Sequence, residues 1–290
     1  METTGGGSVN IWTRRLALGA GVLALLYASA CGYMWATQME HVFEPKAGLQ
    51  TTPDRMGMKY DELRIPVGHG ADQGELYVWW VPSEKTDAPT ILYLHGNDRN
   101  LSNNLEHTQR LHNLGYNVLV ADYRGYGKSR GGKPSEKKVY EDAEAVWQYL
   151  VKRRDVKPGK TFIYGHSLGG AIAINLAVHH PEAAGLITES TFTSMRAMGE
   201  KEYAFLPVDC LLNQRFESLQ KIPDLKIPLL IIHGTWDMRV PVDMVKQLYA
   251  AAPQPKQLLL IEGGEHNNSS AVGWIEYRDA VTAFVRQNAH

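Results

Sequence analysis

The chain has 290 residues, 44% of them hydrophobic, with 30 basic side chains set against 31 acidic ones. That length suits one α/β domain plus an extension, and the near-neutral balance excludes the basic footprint that nucleic-acid binding needs. Two cysteines, Cys31 and Cys210, and 11 scattered histidines provide neither a disulfide framework nor a metal-ligand cluster.

The first element is "LALGAGVLALLYASACGYMW", Leu16 to Trp35, which carries no charge. About 20 residues at ~1.5 Å rise span ~30 Å, the thickness of a bilayer core. Arg14 and Arg15 precede it and no Lys or Arg follows until Lys46. The positive-inside rule therefore makes residues 1–37 a cytoplasmic tip and a single-pass anchor, with the rest of the chain on the outer side. Two export readings compete for the same segment. "ASAC", Ala28–Cys31, resembles a lipoprotein cleavage box, and "TRRLAL", Thr13–Leu18, faintly resembles a twin-arginine signal. The uncleaved anchor is preferred because the apolar run continues past Cys31. Residues 38–54, broken by Pro45, Gly48 and Pro53, read as a linker into a folded domain over 55–290.

Within that domain short apolar runs alternate with amphipathic stretches. Strands are expected at Asp61–Val67, Glu75–Val81, Thr90–Leu94, Asn117–Tyr123, Thr161–Tyr164, Gly185–Thr188, Pro228–His233 and Gln257–Glu262. The first two alternate in polarity across a Gly-rich turn and read as an antiparallel hairpin. The later runs are continuously apolar, as in strands covered on both faces. Helices are expected at Leu101–Leu114, Ser135–Arg153, Leu168–Val178, Val242–Ala251 and Gly273–Gln287. This alternation predicts an eight-stranded, mostly parallel sheet, its second strand antiparallel, with helices on both faces. Residues 191–225 are too long for an ordinary loop and mix aromatics with charges, so they read as a small cap-like insertion.

The chemistry concentrates in "TFIYGHSLGG". A strand ends, a helix begins, and Ser167 stands between Gly165 and Gly169, the tight elbow that pushes a nucleophile outward. A serine hydroxyl needs a base oriented by a carboxylate, and in an open α/β sheet these come from loops at the carboxyl ends of strands. "IIHGTWDMRVP" places Asp237 past one such run and "LLLIEGGEHNN" places His266 past another. The order Ser, Asp, His is the one associated with this elbow. Glu189, closing the Gly185–Thr188 run, is the second candidate for the acid. Backbone N–H groups of Leu168 and of Asn97, in "LYLHGND", are the candidate oxyanion donors. Each assignment has a plainer rival: a mere strand-to-helix turn for the elbow, and a helix cap for Asp237. "DYRGYGKS" lacks the spacing of a phosphate loop and reads as a turn.

Taken in order, "HGN" (95–97), "DYRGYGKSRGGKPSE" (122–136), "GHSLGG" (165–170), "ESTFTS" (189–194), "GTWDMRVP" (234–241) and "GGEHN" (263–267) resemble the α/β-hydrolase superfamily. The resemblance is to its branch of membrane-associated α/β-hydrolase-domain, depalmitoylase-like and serine-aminopeptidase-like proteins. It implies a Ser167–Asp237–His266 triad, no metal or organic cofactor, and a small-molecule or lipid-like acyl substrate. Asp98 and Arg99 depart from the small residues that often follow "HGN" in that branch. The leading expectation is thus a membrane-anchored serine hydrolase of esters or thioesters. A serine peptidase of the same fold and an inactive membrane-bound binding module are the alternatives.

Overall fold

The computed structural model describes residues 11–154 and 156–290; the expected cytoplasmic tip, residues 1–10, lies outside the described residues. The strands are β1 (Glu44–Pro45), β2 (Asp61–Val67), β3 (Gly74–Val81), β4 (Thr90–Leu94), β5 (Asp98–Arg99), β6 (Asn117–Ala121), β7 (Thr161–His166), β8 (Gly185–Glu189), β9 (Leu229–Gly234) and β10 (Lys256–Ile261). The helices are α1 (Ile11–Val42), α2 (Leu105–Asn113), α3 (Glu136–Arg153), α4 (Leu168–His179), α5 (Met195–Glu202), α6 (Val208–Leu211), α7 (Ser218–Lys221), α8 (Val242–Ala251), α9 (Ser269–Val272) and α10 (Trp274–Asn288).

Eight strands form one sheet in the order β10-β9-β8-β7-β4-β6-β3-β2. β3 runs antiparallel to both β2 and β6, and every other pairing is parallel. Period-two alternation divides the core between the two faces. Leu76, Val78 and Trp80 of β3 and Ile163 of β7 pack on one side, beneath α3, α4 and α8; Tyr77, Trp79, Phe162 and Tyr164 pack on the other, beneath α2 and α10. This double cover explains why the strand sequences read as continuous apolar runs. From β4 the chain crosses to β6 on one side and returns to β7 on the other. The sheet therefore has its topological switch point between these strands, with a crevice outside their carboxyl ends.

Ser135 caps α3 by accepting a hydrogen bond from the N–H of Lys138. Below it Arg124 is wholly buried and fully partnered. Its Nε and backbone N–H donate to the two carboxylate oxygens of Asp142 at 2.6 and 2.8 Å, and its Nη2 donates to Glu141 at 2.7 Å. The pairing ties the turn after β6 to α3.

The N-terminal region differs from its expected form. α1 does not stop near Trp35; it continues to Val42, through the first residues of the expected linker. Gln38 and Val42 are buried there, and the Gln38 amide donates to Leu211 O and accepts from Asn213 N–H. These tertiary bonds extend the helix where local composition gave no reason to. Beyond it, β1 pairs in parallel with β5, which contains the unusual Asp98 and Arg99. α1 is also the one helix among the described residues that is long and apolar enough to cross a membrane. In the stretch 191–225, α5 and α6 form a small layer and α7 returns to pack on α4 and α8.

The Arg124–Asp142 pair yields a stability prediction. Arg124→Met strands a buried carboxylate and is expected to destabilise the fold by about 3–5 kcal/mol. Arg124→Met combined with Asp142→Leu should recover most of that loss, as read from urea denaturation midpoints of the detergent-solubilised chain.

Candidate active site

Ser167 sits between β7 and α4 at φ 54° and ψ −120°. This is a left-handed backbone that a residue with a side chain adopts only under constraint. The constraint is close backbone packing. A Cβ on Gly165 would lie 2.2 Å from Gly169 O, and one on Gly169 would lie 2.0 Å from Leu94 O at the end of β4. Only glycine fits either place, so the turn is tight enough to lift the serine side chain clear of the sheet.

The loops after β9 and β10 meet over that elbow. A Cβ on Gly234 would lie 2.1 Å from Gly264 O, and Trp236 N–H donates to the same oxygen at 2.8 Å. This contact carries Asp237 to His266. His266 Nδ1 donates to Asp237 Oδ2 at 2.8 Å, and Ser167 Oγ is 2.9 Å from His266 Nε2. The other Asp237 oxygen accepts from the N–H groups of Arg239 and Val240, both at 2.9 Å. Burial works against the Asp237 charge, but the bond and charge of His266 and the Val240 N–H outweigh it, so its pKa lies below the usual carboxylate range. The ionised side chain thus stabilises the fold above the unfolded-state pKa of about 4, a contribution lost as the pH falls through the depressed value.

Glu189 is wholly buried but bonded elsewhere. Its carboxylate accepts from Tyr164 at 2.6 Å and Ser269 at 2.9 Å, while its backbone carbonyl accepts from Ser167 N–H at 2.9 Å. The elbow histidine, His166, lies between His107 and His266 with its ring tilted against both, and its Nε2 donates to His266 O at 3.0 Å. Burial pushes His166 below the ordinary imidazole range and His107 to about 3, so both rings are neutral near pH 7. No motif in the sequence assigns a task to His166.

The "HGN" loop after β4 lies against the elbow: a Cβ on Gly96 would be 3.4 Å from Ser167 Cβ. Tyr123 OH donates to His95 O, Tyr126 OH donates to Asn97 O, and Glu44 N–H also donates to Asn97 O at 3.1 Å. "DYRGYGKS" is therefore a turn that supplies two phenol clamps for the loop. Sequence reasoning missed these hydroxyls, and missed Glu44, because nothing in their local pattern announces a partner far along the chain. Asn97, Ser167, Leu168 and His266 share the wall of one cavity of about 260 Å³. Much of the remaining lining is apolar, including Phe192, Met195, Met198 and Val208. Among the described residues no group of three or more His, Cys, Asp or Glu side chains could hold a metal ion.

Replacing Ser167 offers a direct check on the strained elbow. Ser167→Gly should be about 1 kcal/mol more stable than Ser167→Ala, because glycine relieves the left-handed strain and alanine keeps it. Equal unfolding midpoints for the two variants would contradict a strained backbone here.

Known proteins agree with this architecture. Residues 86–213 match the family described as Hydrolase_4, serine aminopeptidase, S33. An uncharacterized protein of Mycobacterium tuberculosis (strain CDC 1551 / Oshkosh) is 32% identical over 269 residues, covering 92% of this chain and 94% of the relative. The lysophosphatidylserine lipase ABHD12 of Danio rerio is 35% identical over 201 residues, covering 62% of this chain and 51% of that protein. Among solved structures, the Pyrococcus furiosus esterase Pf2001 superposes with a TM-score of 0.70 at 22% identity, over 85% of this chain and 100% of the esterase. On both its sequence and its fold, this chain belongs to the α/β-hydrolase superfamily.

Proposed function

We propose that the chain is a membrane-anchored serine hydrolase that cleaves carboxylic esters or thioesters through an acyl-enzyme on Ser167. The observation that carries this reading is the continuous relay from Ser167 Oγ through His266 to Asp237, at 2.9 and 2.8 Å, opening into an apolar cavity. Ser167 Oγ attacks the acyl carbon and passes its proton to His266 Nε2. Asp237 holds the imidazolium that results. The carbonyl oxygen gains negative charge, which the N–H groups of Leu168 and Asn97 receive. His266 then protonates the departing alcohol or thiol. A water molecule, deprotonated by the same nitrogen, attacks the acyl-enzyme and releases the acid, restoring Ser167. No metal or organic cofactor enters these steps.

The apolar lining favours an acyl group over a peptide backbone, whose polar groups would lose their hydrogen bonds there. The Danio rerio relative, a lysophosphatidylserine lipase, adds support. Ser167→Ala is expected to lose ~10⁶ in kcat, and Asp237→Asn ~10⁴, on p-nitrophenyl butyrate, with fluorophosphonate labelling abolished in the first. Turnover of Ser167→Ala at the parent rate would end the reading. Faster cleavage of aminoacyl anilides than of esters would replace it with a peptidase.

The same reading makes α1 an uncleaved anchor. Its long apolar stretch has no buried residue, so in water it would expose a continuous apolar surface. Arg14 and Arg15 set the N-terminus on the cytoplasmic side and the hydrolase domain on the outer side. Intact mass spectrometry of the membrane-extracted protein should return the unprocessed chain; a mature chain beginning at a lipidated Cys31 would replace the anchor with a lipoprotein.

A further inference from the structure

The C-terminal turns of α1 take part in the cavity itself. Met34, Gln38, His41 and Val42 line the same space as Ser167 and His266, opposite residues of the cap helices α5 and α6. The helix is bonded to the cap at two heights. Gln38 Nε2 donates to Leu211 O at 3.2 Å and Gln38 Oε1 accepts from Asn213 N–H at 2.8 Å. Eleven residues earlier, about 16 Å along the axis, Tyr27 OH donates to Phe205 O at 3.0 Å. Tyr27 lies inside the uncharged run 16–35, and the Phe205 side chain is 69% exposed. A phenol at that depth needs a partner that lipid cannot give, and the cap carbonyl supplies it. The cap loop around Phe205 is thereby held at the level of the bilayer, beside the anchor.

We propose that α1 is a wall of the substrate site, and that with α5 and α6 it guides the acyl chain of a bilayer-resident lipid ester or thioester to Ser167. This inference rests on the serine-hydrolase reading above. A long acyl chain entering through water would expose each methylene; a chain sliding along α1 passes from one apolar medium to another. The segment that leaves the wall is itself fixed to the catalytic loop: Phe43 is buried against Phe216, and Glu44 N–H donates to Asn97 O. The wall and the loop that carries Asn97 are therefore joined. Met34, partly exposed and facing the cavity, is the position at which side-chain volume sets the room for an acyl chain.

The test uses the full chain in lipid nanodiscs and reads the ratio of kcat/KM for p-nitrophenyl palmitate to that for p-nitrophenyl butyrate. Met34→Trp should lower this ratio at least tenfold and Met34→Ala should raise it, opposite movements that a folding defect cannot produce. Leu23→Trp, on the exposed part of the same helix and outside the cavity, should leave the ratio within twofold. If both Met34 variants keep the parent ratio while Ser167 still labels with fluorophosphonate and butyrate is still cleaved, α1 is a tether only and the inference is overturned. If the parent chain neither labels nor cleaves butyrate, the serine-hydrolase reading fails and takes this one with it.

Discussion

The site depends on a contact between backbones. β7 and α4 meet so closely to the end of β4 that neither Gly165 nor Gly169 has room for a methyl group. Ser167, between them, occupies a conformation that costs of order 1–3 kcal/mol elsewhere. The fold holds it there because the sheet registers β4 beside β7, with Leu94 opposite Gly165. Strand pairing, helix start and serine conformation are one constraint. The same approach brings Gly96 against Ser167, so the loop that carries Asn97 is positioned by the packing that strains the serine.

A second layer of support is polar and lies under the elbow. Glu189 accepts Ser167 N–H with its main chain and braces Tyr164 and Ser269 with its side chain, while Tyr164 is 3.0 Å from Tyr277. His166 reaches over this floor to hold the backbone of His266. Groups this deeply buried are tolerated only when bonded, and a bonded network of this kind allows few alternative arrangements. Glu189 therefore joins β8, the elbow and the helix that follows His266. It stands near the place a catalytic acid would occupy but serves as a brace, while Asp237 is the carboxylate in contact with the His266 ring.

How much of this was legible from sequence follows from what each feature rests on. Strands buried on both faces carry their signal locally, so Thr90–Leu94 and Thr161–His166 read correctly, to within two residues at the ends. The elbow was legible because its requirement for glycine is written in the elbow's own residues. Asp237 and His266 were reachable because a fold of this topology brings loops after successive strands to one rim, as it does here. What escaped was tertiary in origin. The continuation of α1 to Val42 depends on Gln38 bonding to residues more than 170 positions away. The β1–β5 pairing and the Tyr123 and Tyr126 clamps likewise join segments with no shared pattern.

α1 changes character along its length. From Leu16 to Trp35 it is uncharged and apolar all round, and Leu16, Leu23, Leu25 and Trp35 are more than half exposed, so this part is long and apolar enough to cross a membrane. From Met34 onward it turns one face to protein, burying Gln38 and Val42. The cap touches the helix on both sides of this changeover, at Tyr27 through Phe205 O and at Gln38 through Leu211 O and Asn213 N–H. A segment attached through a flexible linker would leave the domain free to turn relative to it. A helix that continues unbroken into the domain, and is bonded there at Gln38, fixes the cavity's direction relative to the helix axis. The absence of a break between Trp35 and Val42 is thus a constraint on orientation, imposed by hydrogen bonds and burial at the helix end.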